Sequence, residues 1–234
     1  MTAAHFSRRQ ILNRALASSF AASVSVNHAF AQIDDQPFFF LSNDEAQYLA
    51  SLCDTLIPRD EFPSASEAGV VDFIDLQMSS GYGKGEGLFL DGPFDEGTPE
   101  QGYQLPLTPA EFMRLGLVEA MANAPAEAAE FEAHATALSE DEVPFGDLSS
   151  KQFFDEVWKL TNQGYFADPI YGGNADYAGW KMVGFPGAHA YYLSFIDKHN
   201  RPYRQPPMGV NHQPGGTGAM PRLRPANAGD TDDR

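Results

Sequence analysis

One cysteine, Cys53, is all that the 234-residue chain contains, and this scarcity excludes two chemistries at once. A single thiol can form no internal disulfide, and no C-x-x-C-H pair exists to hold a c-type haem covalently. A dinucleotide-binding turn is missing as well. The nearest run, Gly81-Tyr82-Gly83-Lys84-Gly85-Glu86-Gly87, puts Glu86 where the third glycine of G-x-G-x-x-G must fall, and it lies in a polar loop. Neither a G-x-S-x-G elbow nor a P-loop occurs. The histidines beyond residue 31, namely His134, His189, His199 and His212, never pair at the i, i+3 or i, i+4 spacing of a helical zinc site. No apolar run reaches the ~18 residues that a spanning helix needs. No alternating strand pattern extends beyond a few residues, so a mostly α fold is expected.

Basic residues are also few, 15 Lys and Arg against 32 Asp and Glu. Two of them stand together in Ser7-Arg8-Arg9-Gln10-Ile11-Leu12, ahead of the weakly apolar, uncharged stretch Ala15 to Val26. Ala29-Phe30-Ala31 then supplies a small-x-small cleavage triplet. Ser7, Arg8, Arg9, Ile11 and Leu12 thus read as the core of a twin-arginine export signal, with cleavage governed by Ala29 and Ala31. A basic patch before a buried helix would not place head, apolar middle and cleavage triplet in this order. An uncleaved anchor would need a longer apolar run. Residues 1–31 are therefore expected to be a signal peptide, and the chain from Gln32 onward to live in the periplasm. Removing them takes away three arginines and no acid, which leaves 12 Lys and Arg against 32 Asp and Glu, a formal charge of −20. Such a surface repels nucleic-acid backbones and anionic lipid headgroups.

About 200 residues remain, enough for one domain with a real core. Ser42-Asn43-Asp44-Glu45 is a capping box, followed by Ala46, Leu49, Cys53 and Leu56 on one face until Pro58. In that setting Cys53 reads as a small buried apolar residue, with an intermolecular disulfide as the other reading. Pro63 and Ser64 to Ser66 lead into a second helix carrying Val70, Val71, Phe73, Ile74 and Met78. Residues 81–107 form a long glycine-rich, acidic loop of the kind that is functional, partner-bound or mobile. Thr108-Pro109-Ala110-Glu111 starts another helix, for which Phe112, Leu115, Ala120 and Met121 are the expected buried stripe. Ala126 to Leu138 is rich in helix formers. Ser149 caps a helix expected to turn Phe153, Phe154, Val157, Trp158 and Leu160 inward. A last helix is expected over Ala188 to Ile196. Residues 200–234, rich in proline and glycine, read as an extended tail that stays disordered or wraps a partner. The expected architecture is a single small helical domain over 32–199 with long irregular loops, preceded by the signal peptide and followed by that tail.

His134, among alanines and glutamates, reads as solvated, and His189, near Tyr191 and Tyr192, as packed or interfacial. The acid pairs Asp95-Glu96, Asp141-Glu142 and Asp155-Glu156 read as solvated surface in so acidic a chain. The densest signal runs from Gly164 to Gly187. Gly172-Gly173-Asn174 permits a sharp turn with positive φ. Gly179 beside Trp180 lets another backbone approach while the indole fills volume and seeks an acceptor. Phe185-Pro186-Gly187 makes a second turn. On physical grounds alone this block is either a rigid aromatic corner or an interface.

Asp168-Pro169, Tyr171-Gly172-Gly173-Asn174, Gly179-Trp180 and Gly184-Phe185-Pro186-Gly187 resemble the signature of the gluconate 2-dehydrogenase subunit 3 family. Thr55-Leu56-Ile57-Pro58 and Ala68-Gly69-Val70-Val71-Asp72-Phe73-Ile74-Asp75 extend the likeness, which covers most of 40–200. The resemblance implies the small, or gamma, subunit of a periplasmic flavin-dependent sugar or sugar-acid dehydrogenase. It implies a large FAD-dependent catalytic partner of the GMC type and, in some complexes, a multihaem cytochrome c subunit. It also implies that this chain carries the twin-arginine signal for that partner and engages the translocase on its behalf. On this reading no cofactor, metal or catalytic residue belongs to the chain itself, FAD and haem c being held by partners. Tyr171, Gly172, Gly173, Asn174, Gly179, Trp180, Gly184, Phe185 and Pro186 are the expected partner interface. Two other readings stay open: an independent periplasmic enzyme using acids with His189 as base, and a stand-alone binding module.

Overall fold

The computed structural model describes residues 37–91, 98, 105–189, 193–199, 201, 203 and 205–210. The signal residues, the cleavage triplet, Asp95-Glu96, His212 and the tail past residue 210 lie outside them. Among the described residues the domain is helical, with α1 (Asn43–Leu56), α2 (Val70–Ser79), α3 (Pro109–Ala122), α4 (Phe131–Ser139), α5 (Ser150–Phe166) and α6 (Ala178–Val183). Helix α5 is the longest and occupies the centre, packing against α1, α2, α3 and α4, with α6 folded onto its C-terminal end.

Local chemistry sets the helix starts. Ser42 Oγ accepts from the Glu45 N–H while Glu45 Oε2 accepts from the Ser42 N–H at 2.7 Å. Thr108 and Glu111 repeat the device ahead of Pro109, and Ser149 Oγ accepts from the Gln152 N–H. Each satisfies backbone donors that a helix start leaves without intrahelical acceptors. The core then closes around Leu49, Leu52, Cys53, Ile74, Met113, Leu117, Leu138, Phe153 and Leu160, all buried. Cys53 is wholly enclosed, its Sγ 3.2 Å from Thr161 Oγ1. Burial pushes its thiol up to about 12, so it is neither exposed nor ionised for an intermolecular disulfide.

The structure corrects several expectations. The buried stripe of α3 is Phe112, Met113, Gly116, Leu117 and Ala120, and Leu115 points to solvent. The shift follows from Gly116, whose missing side chain admits the Phe153 ring and draws that face onto α5. Trp158 also faces outward, because α5 already turns Phe153, Phe154, Val157 and Leu160 to the core. Ala126–Leu138 is not one helix. A short 3-10 turn, Ala128–Glu130, precedes α4. Of the helix expected over Ala188–Ile196, the described residues show only a 3-10 turn at Leu193–Phe195, and the Ala188 N–H donates to Met208 O at 2.6 Å.

His134 is buried rather than solvated. Phe131, His134, Ala135 and Leu138 form the inner face of α4, and the His134 ring sits edge-on to both Tyr48 and Phe131. The Tyr48 hydroxyl is 2.9 Å from His134 Nε2 and donates to it when that nitrogen is unprotonated. Burial holds the His134 imidazole below its ordinary value.

A second polar group ties the start of the domain to α2. Asp75, 1% exposed, accepts from three successive backbone N–H groups: Phe39 at 2.9 Å, Phe40 at 2.8 Å and Leu41 at 2.9 Å. Arg114 completes the clasp. Its guanidinium lies 4.0 Å from the centroid of the Phe40 ring, donates to Phe40 O, and donates to Glu45 at 2.5 Å. A buried carboxylate is tolerated only when its oxygens are hydrogen-bonded in this way.

Two outcomes follow from these groups. Asp75→Ala leaves three N–H groups without an acceptor and should lower unfolding free energy in urea by about 3 kcal/mol. An unchanged midpoint would mean that the 37–41 segment is not held by that carboxylate. For His134, the folded state resists protonation below ~6.5 while the unfolded chain does not. Stability should therefore fall as pH drops through that value toward the folded pKa. His134→Gln keeps an acceptor for Tyr48 without titrating, so its stability relative to the parent should improve between roughly pH 7.5 and 5.5. Parallel stability curves over that range would show that His134 contributes no pH dependence.

Candidate functional site

The last carbonyls of helix α5 have no intrahelical donor left and must find partners elsewhere. The aromatic glycine block supplies them. Trp180 Nε1 donates to Phe166 O at 2.7 Å, and Asn174 Nδ2 donates to Ala167 O at 2.7 Å. Asn174 Oδ1 in turn accepts from the Gly179 N–H at 2.9 Å, so one fully buried amide joins the end of α5 to the start of α6. The Tyr165 hydroxyl donates to Pro63 O at 2.7 Å, fixing the same helix end to the loop before α2.

Backbones meet closely here. A Cβ on Gly173 would lie 2.1 Å from Gly164 O, and one on Gly179 would lie 2.1 Å from Tyr165 O. Neither position admits a side chain without moving backbone. Asn174, Asp176 and Tyr177 all hold positive φ, at 51°, 53° and 59°. Three non-glycine residues in that region within four positions amount to stored strain, which persists only when surrounding contacts enforce it. Those contacts are a ring stack of Tyr177 on Trp180, with centroids 5.4 Å apart, and an edge contact of Phe185 on Trp180 at 5.0 Å.

The residues expected at the interface divide in two. Gly173, Asn174, Gly179 and Trp180 are buried within the chain's own corner and build it. Tyr171, 58% exposed, and Phe185, 47% exposed, stand outside it, with Gly184 exposed and Gly172 and Pro186 half-buried. Reading the block by residue type missed their neighbours. Ile170, Met182 and Val183 are also exposed on this side. So is Val210, brought there by a strap of chain over 205–210. Asp168 anchors the start of the Pro169–Tyr171 turn by accepting from the Ile170 N–H. That role was legible in Asp168-Pro169, an N-cap residue ahead of proline. The strap had no sequence signal.

What this arrangement offers is a rigid platform with protruding aromatic and aliphatic side chains, the composition of an interface anchor. Other candidates have structural tasks. Asp141 accepts from Ser149 Oγ, Ser150 Oγ and the Lys151 N–H; the Lys151 N–H and the Ser149 hydroxyl hold its carboxyl below the usual range. Asp155 pairs with Lys151 at 2.9 Å on the surface of α5. Glu156 joins Tyr82 and Lys159 in a half-buried cluster. His189 lies against Pro206 O at 3.3 Å and the Tyr203 ring. Among the described residues no group of three His, Cys, Asp or Glu side chains could hold a metal ion. No described helix is long and apolar enough to cross a membrane.

The corner's rigidity is testable at its central amide. Asn174→Gly removes both hydrogen bonds but tolerates positive φ, and should cost about 3 kcal/mol in chemical unfolding. Asn174→Ala should cost a further ~1 kcal/mol for the strained backbone. Equal stability of the two variants would mean that residue 174 is not held at positive φ.

No curated protein and no solved structure matches the chain. A family model does, described as gluconate 2-dehydrogenase subunit 3, over residues 43–187. The matched region runs from the first residue of α1 to the last glycine of the aromatic corner, and it covers well over half of the chain. The chain therefore belongs to the gluconate 2-dehydrogenase subunit 3 family.

Proposed function

We propose that this protein is the non-catalytic small subunit of a periplasmic, membrane-associated FAD-dependent dehydrogenase, and that it acts as both stabiliser and export escort of the catalytic subunit. The observation that carries the proposal is the aromatic corner within a chain whose family is named as a dehydrogenase subunit. The corner holds Tyr171 and Phe185 outward on a scaffold whose own polar groups are satisfied internally. An exposed aromatic on a rigid base loses little entropy on docking, which favours it as an anchor. The partner is a large flavoprotein of the GMC type. FAD sits in that subunit, and haem c in a cytochrome subunit where the complex has one.

The escort role rests on Arg8 and Arg9. A flavoprotein acquires FAD in the cytoplasm, and a route that moves folded proteins lets it cross with cofactor in place. Docking before export lets one signal serve two chains. Cleavage after Ala31 then releases the pair in the periplasm. The strongly acidic surface disfavours direct contact with anionic lipid, so membrane association comes through partners. The tail from Arg201 onward extends the contact with the catalytic subunit, since a flexible segment covers much surface per residue.

Replacing Arg8 and Arg9 together by lysine should leave both this chain and the dehydrogenase activity in the cytoplasm. Fractionation with a dye-linked assay for sugar-acid oxidation reads the outcome, and undiminished periplasmic activity would end the escort proposal. The subunit role is tested separately. The tagged chain should co-purify a polypeptide with a flavin absorption spectrum, and a tagged chain that purifies alone and oxidises a sugar acid unaided would overturn it.

A further inference from the structure

Beyond Gly187, where the family match ends, the chain returns to the corner. Met208 pairs with Gly187 as an isolated parallel bridge: the Ala188 N–H donates to Met208 O at 2.6 Å and the Met208 N–H donates to Pro186 O at 3.1 Å. The Gly209 N–H donates to the Tyr177 hydroxyl at 3.1 Å. The Val210 N–H donates to Asp168 Oδ2 at 2.8 Å, while Asp168 Oδ1 accepts from the Ile170 N–H at 3.0 Å. One carboxylate therefore sets Ile170 and Val210 side by side, although 40 positions separate them in sequence. Val210 is 69% exposed. The backbone of the strap is bound while this apolar side chain is left in solvent, the reverse of what internal packing would arrange.

We propose that the 205–210 strap and the Ile170–Tyr171 turn form one composite docking face for the flavoprotein catalytic subunit, with Asp168 as the positioning residue that keeps its two halves in register. The inference rests on the subunit role proposed above and adds what the family likeness does not reach. Tyr177 stacks on Trp180 and holds the strap through the Gly209 N–H. Phe185 meets the edge of the Trp180 ring beside the bridge, so the strap and Phe185 share one support. A preformed apolar face of this kind binds without the ordering cost of a free loop. The strap also fixes where the remaining chain leaves the domain. Residues 211–234 start at the edge of this face, which gives the tail a short route onto the same partner.

Full-length tagged chain, co-expressed with the flavoprotein that it co-purifies, tests the assignment. Val210→Glu changes an exposed side chain and should leave thermal unfolding unchanged, yet lower the flavin recovered per tagged chain by at least about tenfold in apparent affinity. Asp168→Ala should give a comparable loss by releasing the strap, and Tyr171→Glu should give one directly. If Tyr171→Glu weakens capture while Val210→Glu and Asp168→Ala do not, the strap lies outside the interface and the subunit role survives alone. If none of the three alters capture, the corner itself is not the interface. A mass doubling of the isolated parent chain in size exclusion, abolished by Val210→Glu, would assign the face to a second copy and overturn the proposal.

Discussion

The end of its longest helix sets the constraint around which this protein is organised. No intrahelical N–H remains to satisfy the last carbonyls of α5. Trp180 and Asn174 meet Phe166 O and Ala167 O from a segment that must double back tightly to do so. That return forces positive φ on Asn174, Asp176 and Tyr177 and excludes side chains at Gly173 and Gly179. An unusual backbone is thus enforced by hydrogen bonds that cost more to lose than the strain costs to keep. With the corner in place, Tyr171 and Phe185 have nowhere to go but outward.

The start of the described chain solves a related problem with a charge. Phe39 and Phe40 bend the chain ahead of α1, so the N–H groups of Phe39, Phe40 and Leu41 lack helix or sheet partners. Asp75 accepts all three from within α2, and Arg114 takes the carbonyl of Phe40 while stacking on its ring. The domain contains no disulfide, since its one thiol is sealed against Thr161. Irregular segments at both ends are held instead by buried polar side chains, each placed on or against a regular helix. Removing one such group strands several backbone partners at once.

Helix identity was legible wherever local chemistry sufficed. Ser42-Glu45, Thr108-Pro109-Glu111 and Ser149 mark starts through interactions spanning three residues, and Pro58 marks a stop. Inward faces were less legible, because a stripe is set by what lies opposite. Leu115 and Met113 have similar apolarity, and only the Phe153 ring seated at Gly116 decides which of them turns to the core. His134 shows the same limit. Its spacing from Phe131 and Leu138 already placed it on the inner face of α4, but alanine and glutamate neighbours masked that periodicity. Ala188, expected to start a helix, instead pairs with Met208, a partner 20 positions beyond it. The corner was legible as a turn-rich aromatic block. Its division into buried and exposed residues was not, for that depends on where α5 ends.

That division bears on what family membership means. Within the matched region, Gly173, Asn174, Gly179 and Trp180 are enclosed. Trp180 and Asn174 cap the end of α5, and Gly173 and Gly179 let backbones meet there, so together they build the platform. Ile170, Tyr171, Phe185 and Val210 stand exposed on that platform. A scaffold kept rigid by buried hydrogen bonds can therefore present different surfaces without refolding.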